Sequence, residues 1–278
     1  MFKKIRCLLE DLVSLKKRAA FMQADSYLQE NLYNNPKYKE LKRLPRYEHK
    51  GFSQHGEDGI IEEIFHRIGT TSRFFVEFGC GKHGTENNSL LLLLKGWNGV
   101  WFECNPVHVK RINDKFQSLT EMGRLSVQPA FITSKNINEI FANCKVPKEF
   151  DMLSIDIDGN DYWVWQALKD FSPRVVVVEY NAIYPPSMKW IMKEDPKYRW
   201  DGSSHFGASL KSFELLGAQK GYKLVGCDFT GVNAFFVRED LMGDHFLAPS
   251  TAENHYEPAR YFLERQSGHP RNFGEFEI

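Results

Sequence analysis

Apolar residues at Ile5, Leu8, Leu9, Leu12 and Leu15 recur every three or four positions, with Lys3, Lys4, Arg6, Lys16, Lys17 and Arg18 around them. That spacing predicts a basic amphipathic helix over 2–32. Asn34-Asn35-Pro36 ends it, because proline cannot continue a helix and restricts the residue before it. A basic connector follows to Lys50. From Phe52 onward the hydrophobic period switches repeatedly between helix and strand. Helices are predicted at 56–68, 88–95, 107–119, 136–144, 162–170 and 208–220, and strands at 73–78, 99–104, 125–132, 151–157, 175–180, 223–228 and 233–238. Val175-Val176-Val177-Val178 is so uniformly β-branched that both faces should be covered, which suits a central parallel strand. Thr230-Gly231 leaves room only for a tight turn, so the last two strands should form an antiparallel hairpin.

The pattern implies an α/β fold: a doubly wound, mostly parallel seven-stranded sheet of Rossmann type, preceded by a helical arm. The arm and connector take 1–50 and the main domain 51–278, with an irregular tail beyond Asp240. Segment 184–207, rich in Pro, Trp, Lys and Ser, has no clean period and reads as a lid or binding loop.

A chain of 278 residues can bury one substantial core and carry an appendage, and no run reaches the roughly 20 apolar residues that span a bilayer. Glu10 and Asp11 interrupt the apolar stretch after the basic start, so export by a signal peptide is not expected. The five cysteines are scattered, without a CxxC pair, and suit a reducing, cytoplasmic setting. Charge balances overall, yet the first fifty residues hold twelve Lys/Arg against six Asp/Glu, leaving the remainder net negative. A negative catalytic domain lacks the footprint of a nucleic-acid binder. The basic arm fits packing on its own domain, a homo-oligomer contact, or peripheral contact with the inner membrane face.

Gly79-Cys80-Gly81-Lys82-His83-Gly84 follows a predicted strand, and Glu103 closes the next strand about twenty residues later. Glycines let a ligand approach the backbone, and a carboxylate at the second strand's end can accept from vicinal ribose hydroxyls, so a nucleotide-type cofactor is expected. Glu77, two residues before the first glycine, favours the cationic donor S-adenosylmethionine over a dinucleotide, as does the closing hairpin. Phe131 is a candidate adenine wall. Asp156 and Asp158, at alternate positions of the predicted fourth strand, should share a face beside the crevice. They could position donor and acceptor or, with Glu179, hold a divalent ion through oxygen ligands; Asp158, with Asn160 or Asp161, could instead cap the following helix. His205, in the aromatic segment around Trp200 and Phe206, is the candidate base, with His55 second. Tyr184, Trp190, Tyr198, Trp200 and Phe206 could stack on a sugar ring or form a small core of the lid.

Ser53-Gln54-His55-Gly56-Glu57-Asp58, Val76-Glu77-Phe78-Gly79-Cys80-Gly81, Glu86-Asn87-Asn88-Ser89, Glu103-Cys104-Asn105-Pro106 and Ser154-Ile155-Asp156-Ile157-Asp158-Gly159-Asn160-Asp161 together resemble the FkbM-type class I methyltransferases over about 52–239. Two positions depart from the family pattern: Asp158 stands where Glu is usual, and Cys80 where Ala is common. On this reading Glu77, Gly79, Gly81, Asn88, Glu103 and Asp156 are expected to hold S-adenosylmethionine, and Asp158, Glu179 and His205, by their position, to stand on the acceptor side. The expected activity is O-methylation of a sugar or surface-glycan precursor. An NAD-dependent oxidoreductase and a catalytically silent binding or scaffold protein are the alternatives on the same fold.

Overall fold

The computed structural model describes residues 2–263; the expected tail is seen as far as Leu263, while 264–278 and the side chains of Ile5, Leu8 and Leu9 lie outside the described residues. In chain order come α1 (Phe2–Leu28), a π turn at Gln29–Tyr33, 3-10 turns at Pro36–Lys39 and Leu44–Tyr47, α2 (Glu57–Ile68), β1 (Phe74–Phe78), α3 (Leu90–Leu94) and β2 (Asn98–Glu103). Next are α4 (Pro106–Lys115), α5 (Gln117–Glu121), β3 (Leu125–Pro129), α6 (Ile137–Asn143), β4 (Glu149–Ile155), α7 (Asp161–Ala167) and β5 (Ser172–Glu179). The chain then forms α8 (Leu210–Gln219), β6 (Tyr222–Cys227), β7 (Asn233–Arg238), a 3-10 turn at Glu239–Leu241 and α9 (Ala252–His255).

The strands form one seven-stranded sheet in the order β3-β2-β1-β4-β5-β7-β6. β1 to β5 are parallel, and β7 runs antiparallel to both β5 and β6. The doubly wound, mostly parallel, Rossmann-like sheet with a closing hairpin is therefore borne out. The order reverses between β1 and β4, which opens a crevice at their carboxyl ends.

β5 shows why this chain folds so. Val175 to Val178 are all fully buried; Val176 and Val178 join Phe141, Trp165 and Phe213 on one face, and Val175 and Val177 join Ile60, Leu90 and Phe116 on the other. Covering both faces is what a continuous valine run requires, and each such side chain is worth roughly 1.5–3 kcal/mol of burial. Elements differ from their predicted extents where a local contact intervenes. The helix predicted at 107–119 is split at Phe116, whose fully buried ring packs edge-on against Trp101 at 5.1 Å. The fourth strand stops at Ile155, because Asp161 accepts from Ile157 N at 2.8 Å and Gly159 N at 2.9 Å and folds the next residues into a turn.

The end of α1 and the π turn after it pack on the domain: Ala24, Leu28 and Leu32 meet Tyr38, Phe229 and Leu263. No helix among the described residues is long and apolar enough to cross a membrane.

Near the amino-terminal ends of the central strands β4 and β5, away from the crevice, Asp151 is fully buried and meets Arg174 at 2.7 Å, while accepting from Thr71 N at 3.1 Å and Arg73 N at 2.6 Å. Arg174 spends its remaining donors on the carbonyls of Ile68 and Gly69. Removing one partner strands the other charge in the interior. Asp151→Ala is therefore expected to lower unfolding free energy by about 3–5 kcal/mol; an unchanged urea midpoint would show that the pair is structurally idle.

Candidate active site

β1 delivers its carboxyl end into a turn that crosses the turn after β4. Gly79 (φ 72°) lies so close to it that a Cβ would stand 1.7 Å from the Asp156 carbonyl oxygen. Gly81 (φ 62°) is also left-handed, but a Cβ there would meet nothing within 4 Å, so its backbone faces open cleft. The two glycines predicted to serve one ligand thus do different things: one permits the crossing, the other leaves space.

Two clefts flank this crossing and share Gly79, Gly81 and Asp156. One, of about 260 Å³, is lined by Phe78, Glu103, Phe131, Ile132, Asp158 and the lid residues Tyr198, Arg199 and Trp200, among others. Glu103 Oε1 accepts from Asn105 N at 2.8 Å and lies 3.4 Å from His108 Nδ1. Its Oε2 takes no hydrogen bond among the described residues and is left for a ligand. Phe131 forms part of the wall, with the Arg199 guanidinium 4.5 Å from its ring centre.

The second cleft, of about 340 Å³, is lined by Gln54, Glu57, Glu77, Lys82, Asn88 and Asn233, with the shared glycines and Asp156. Glu77 is buried, accepting from Asn88 N at 2.8 Å and Ser89 N at 2.9 Å and also from the Ser89 hydroxyl. Burial outweighs these bonds and raises its pKa to about 7. Asn88 spends its side-chain amide on Ser154 Oγ at 3.1 Å. Asn233 is 4% exposed; its Nδ2 donates to Glu57 Oε1 at 2.8 Å, which leaves Oδ1 buried without a partner among the described residues.

At the junction stand three acids. Oxygens of Asp156, Asp161 and Glu179 lie within 4.8 Å of one another. Asp158 is not part of this group. It sits in the turn beyond β4 with φ 57°, exposed, and lines the cleft that contains Glu103. Asp156 and Asp158 both line the cleft that contains Glu103, but strand alternation does not place them, since β4 ends at Ile155, and Asp158 stands apart from the acid group. Desolvation, then the charge of Asp161, pushes the Asp156 carboxyl well above the usual range. Desolvation and then Asp156 do the same to Glu179, whose Oε2 is buried without a partner among the described residues. Asp161, desolvated but bonded to two backbone N–H groups, is raised to about 6.

Segment 184–207 is folded rather than loose. Asn160 Nδ2 donates to Asp195 O at 2.8 Å, and the Tyr198 ring covers Gly159 so closely that a Cβ there would meet it at 2.5 Å. Tyr184 stacks on Trp190 at 4.4 Å, and His205 lies exposed with its ring 5.7 Å from Trp190. His205 lines neither cleft among the described residues, so the segment holds it on the outer side of the lid. His55 is half-buried; its backbone N donates to Glu57 at 2.7 Å, and its side chain stays out of the lining of both clefts.

No family model and no curated protein matches the chain. Among solved structures, an O-methyltransferase from Bacillus cereus in complex with SAH is similar at 14% identity and TM-score 0.44, over 79% of this chain and 97% of that one. The magnesium protoporphyrin IX methyltransferase from Synechocystis PCC 6803 with bound SAM is similar at 10% and 0.42, over 79% and 97%. A Galdieria sulphuraria protein described as a sarcosine dimethylglycine methyltransferase is similar at 16% and 0.39, over 59% of this chain and 60% of that one. The fold stands on strand order instead. Membership of the FkbM-type group remains a likeness of motifs.

Residues that sequence reasoning missed are Asp161 as a member of the acidic group, and Gln54, Glu57 and Asn233 in the polar cleft. Gln54 and Glu57 lay within a motif already quoted, whereas Asn233 meets Glu57 across 176 positions and carries no local signal.

Two outcomes follow from the geometry. Gly79→Ala should fail to fold stably, whereas Gly81→Ala should cost about 1–2 kcal/mol, the usual penalty of a left-handed non-glycine residue; equal thermal midpoints for the two would contradict the crossing. An acid whose native pKa is raised is protonated in the native state where the unfolded chain has already ionised, so it erodes stability as pH rises. Asp156→Asn should therefore be more stable than wild type at about pH 8, with the gain shrinking toward about pH 5. A gain that grows on acidification would reverse the sign argued for the acidic group.

Proposed function

We propose that this protein is an S-adenosylmethionine-dependent methyltransferase that transfers the methyl group to a hydroxyl oxygen of a sugar-type acceptor. The observation that carries the reading is the position of Glu77. Its carboxylate already occupies the N–H groups of Asn88 and Ser89, the backbone donors at the start of α3, the helix after the glycine turn on whose N-terminus a dinucleotide's diphosphate would depend. Glu86 and Asp156 add further carboxylates to the same cleft. An anion would meet repulsion there, and a sulfonium or ammonium would be welcomed. This argues against the NAD-dependent alternative. A silent scaffold fits no better, because Asp161 holds the turn after β4 while Asp156 and Glu179 crowd it at a cost in stability, Glu179 with its Oε2 buried and unpartnered among the described residues.

The two clefts divide the work. Glu103 would accept from ribose hydroxyls, Phe131 and Ile132 would face the adenine, and Asp158, on the same side as Glu103, would orient the nucleoside rather than the acceptor. The polar cleft, with Gln54, Glu57 and the unpartnered Asn233 carbonyl, suits an acceptor rich in hydroxyls. Bound S-adenosylmethionine supplies an activated methyl group and departs as a neutral thioether. The chain itself must align the hydroxyl, exclude water and take up its proton. Asp156 is the group placed for that proton, since it lines both clefts and burial raises its proton affinity.

A second reading has its own observation. The oxygens of Asp156, Asp161 and Glu179 form an all-oxygen set of the kind that holds magnesium or calcium, and the buried Glu179 Oε2 lacks a partner among the described residues. An ion there would relieve the mutual repulsion of the acids. Chelator followed by magnesium would reveal it through thermal midpoint as well as turnover.

Calorimetry separates the donor assignments. S-adenosylhomocysteine should bind and NAD should not, and Glu103→Ala should weaken S-adenosylhomocysteine by about 1–3 kcal/mol in an otherwise folded protein. Binding of NAD alone, or an unaltered dissociation constant in the variant, would overturn the ribose and donor assignments.

A further inference from the structure

The free part of α1 carries a heptad. Ile5, Leu8, Leu12, Leu15, Ala19 and Met22 follow one another at spacings of three, four, three, four and three residues, the a and d positions of a coiled coil. The domain takes the opposite side of the helix. Ala24 and Leu28, which pack toward Phe229 and Leu263, occupy f and c positions, so the described part of the a/d stripe, Leu12 to Met22, faces away from the body of the protein. Leu12, Leu15 and Met22 are accordingly 64%, 62% and 70% exposed. Large apolar side chains repeated at this spacing and left in water mark a surface that a partner covers.

We propose that this surface is covered by α1 of a second copy of the chain, in a parallel two-stranded coiled coil. The flanking charges select that occupant. With Leu12 and Leu15 at a and d, Asp11 falls at a g position and Lys16 at the following e position, the pair that meets across a parallel dimer. Twofold symmetry supplies the contact twice, Asp11 to the second copy's Lys16 and the reverse. Arg18 at the next g position faces Gln23, so no like charges oppose one another along the stripe itself, 5–22. Exposed Val13 at b widens the apolar face on one side, while Lys16 at e and Arg18 at g border the stripe; the reciprocal Asp11–Lys16 contact is what a second copy offers and a lipid surface does not. The arm would thus join two catalytic domains through helices whose far ends remain fixed to Tyr38, Phe229 and Leu263.

Sedimentation equilibrium of the full chain across a concentration series tests this. The expected result is a species of twice the chain mass, converted to monomer by Leu12→Asp with Leu15→Asp, positions exposed in the protomer and remote from the clefts. S-adenosylhomocysteine binding by that variant should stay unchanged. Lys16→Asp places two acids together and should weaken the dimer, and adding Asp11→Lys should restore it with the charges exchanged. A monomer at every concentration, a dimer indifferent to the leucine substitutions, or no rescue by the charge exchange would overturn the proposal. So would a monomeric protein that sediments with phosphatidylglycerol vesicles and loses this with Leu12→Asp and Leu15→Asp, an outcome that assigns the stripe to an anionic membrane.

Discussion

The crossing of two turns at Gly79 and Asp156 is the constraint on which the site depends. With a Cβ position only 1.7 Å from the Asp156 carbonyl, the turn after β1 and the turn after β4 occupy nearly the same space, and only a residue without a side chain permits it. Because the two turns touch, the crevice at the switch point is narrowed there into two clefts that still share one floor. A ligand long enough to reach both must pass over that floor, directly against Asp156. Position follows from backbone contact before any side chain is considered.

The two ends of the central strands show how differently one residue type is treated. At the amino-terminal end Asp151 is paired with Arg174 and bonded to the loop before β1, so its charge is compensated within the fold. At the carboxyl end Asp156, Asp161 and Glu179 crowd together with no cation beside them among the described residues, and Glu77 accepts from neutral donors. Burial raises all four. Among the described residues the interior thus holds one buried acid by pairing it with a cation and leaves the crevice acids without one. That contrast concentrates unbalanced carboxyl chemistry where the two clefts meet.

Much of this was legible in the sequence, for reasons that can be named. Val175 to Val178 identify a strand covered on both faces, and Glu77, Gly79 and Glu103 mark the crevice, because short-range rules govern both. Asp158 and His205 were less readable. The parity that would have put Asp158 beside Asp156 depends on extended backbone, and Asp161 ends that backbone by drawing in the N–H groups of Ile157 and Gly159. His205 stood out as an imidazole in a polar, aromatic segment, yet its exposed ring lies beside Trp190 and Tyr198 and lines neither cleft. Asn233 could not be found at all by local reasoning, since its meaning comes from Glu57, far away in the chain.

The lid changes the basis on which an acceptor would be chosen. Five aromatic residues in 184–207 suggest a stacking platform, but Tyr184 is spent on Trp190, Trp200 faces Phe206, and Tyr198 is pressed against Gly159. Of these only Tyr198 and Trp200 line a cleft, and it is the cleft that holds Glu103. Aromatic contact is thus available to a nucleoside rather than to a sugar ring. What the polar cleft offers is hydrogen bonding from Gln54, Glu57 and Asn233, groups that read the arrangement of hydroxyls and not the flatness of a ring. A site of that kind rejects an analogue lacking a hydroxyl far more strongly than one differing by a methylene, because the unpaired Asn233 carbonyl would stay buried and unsatisfied.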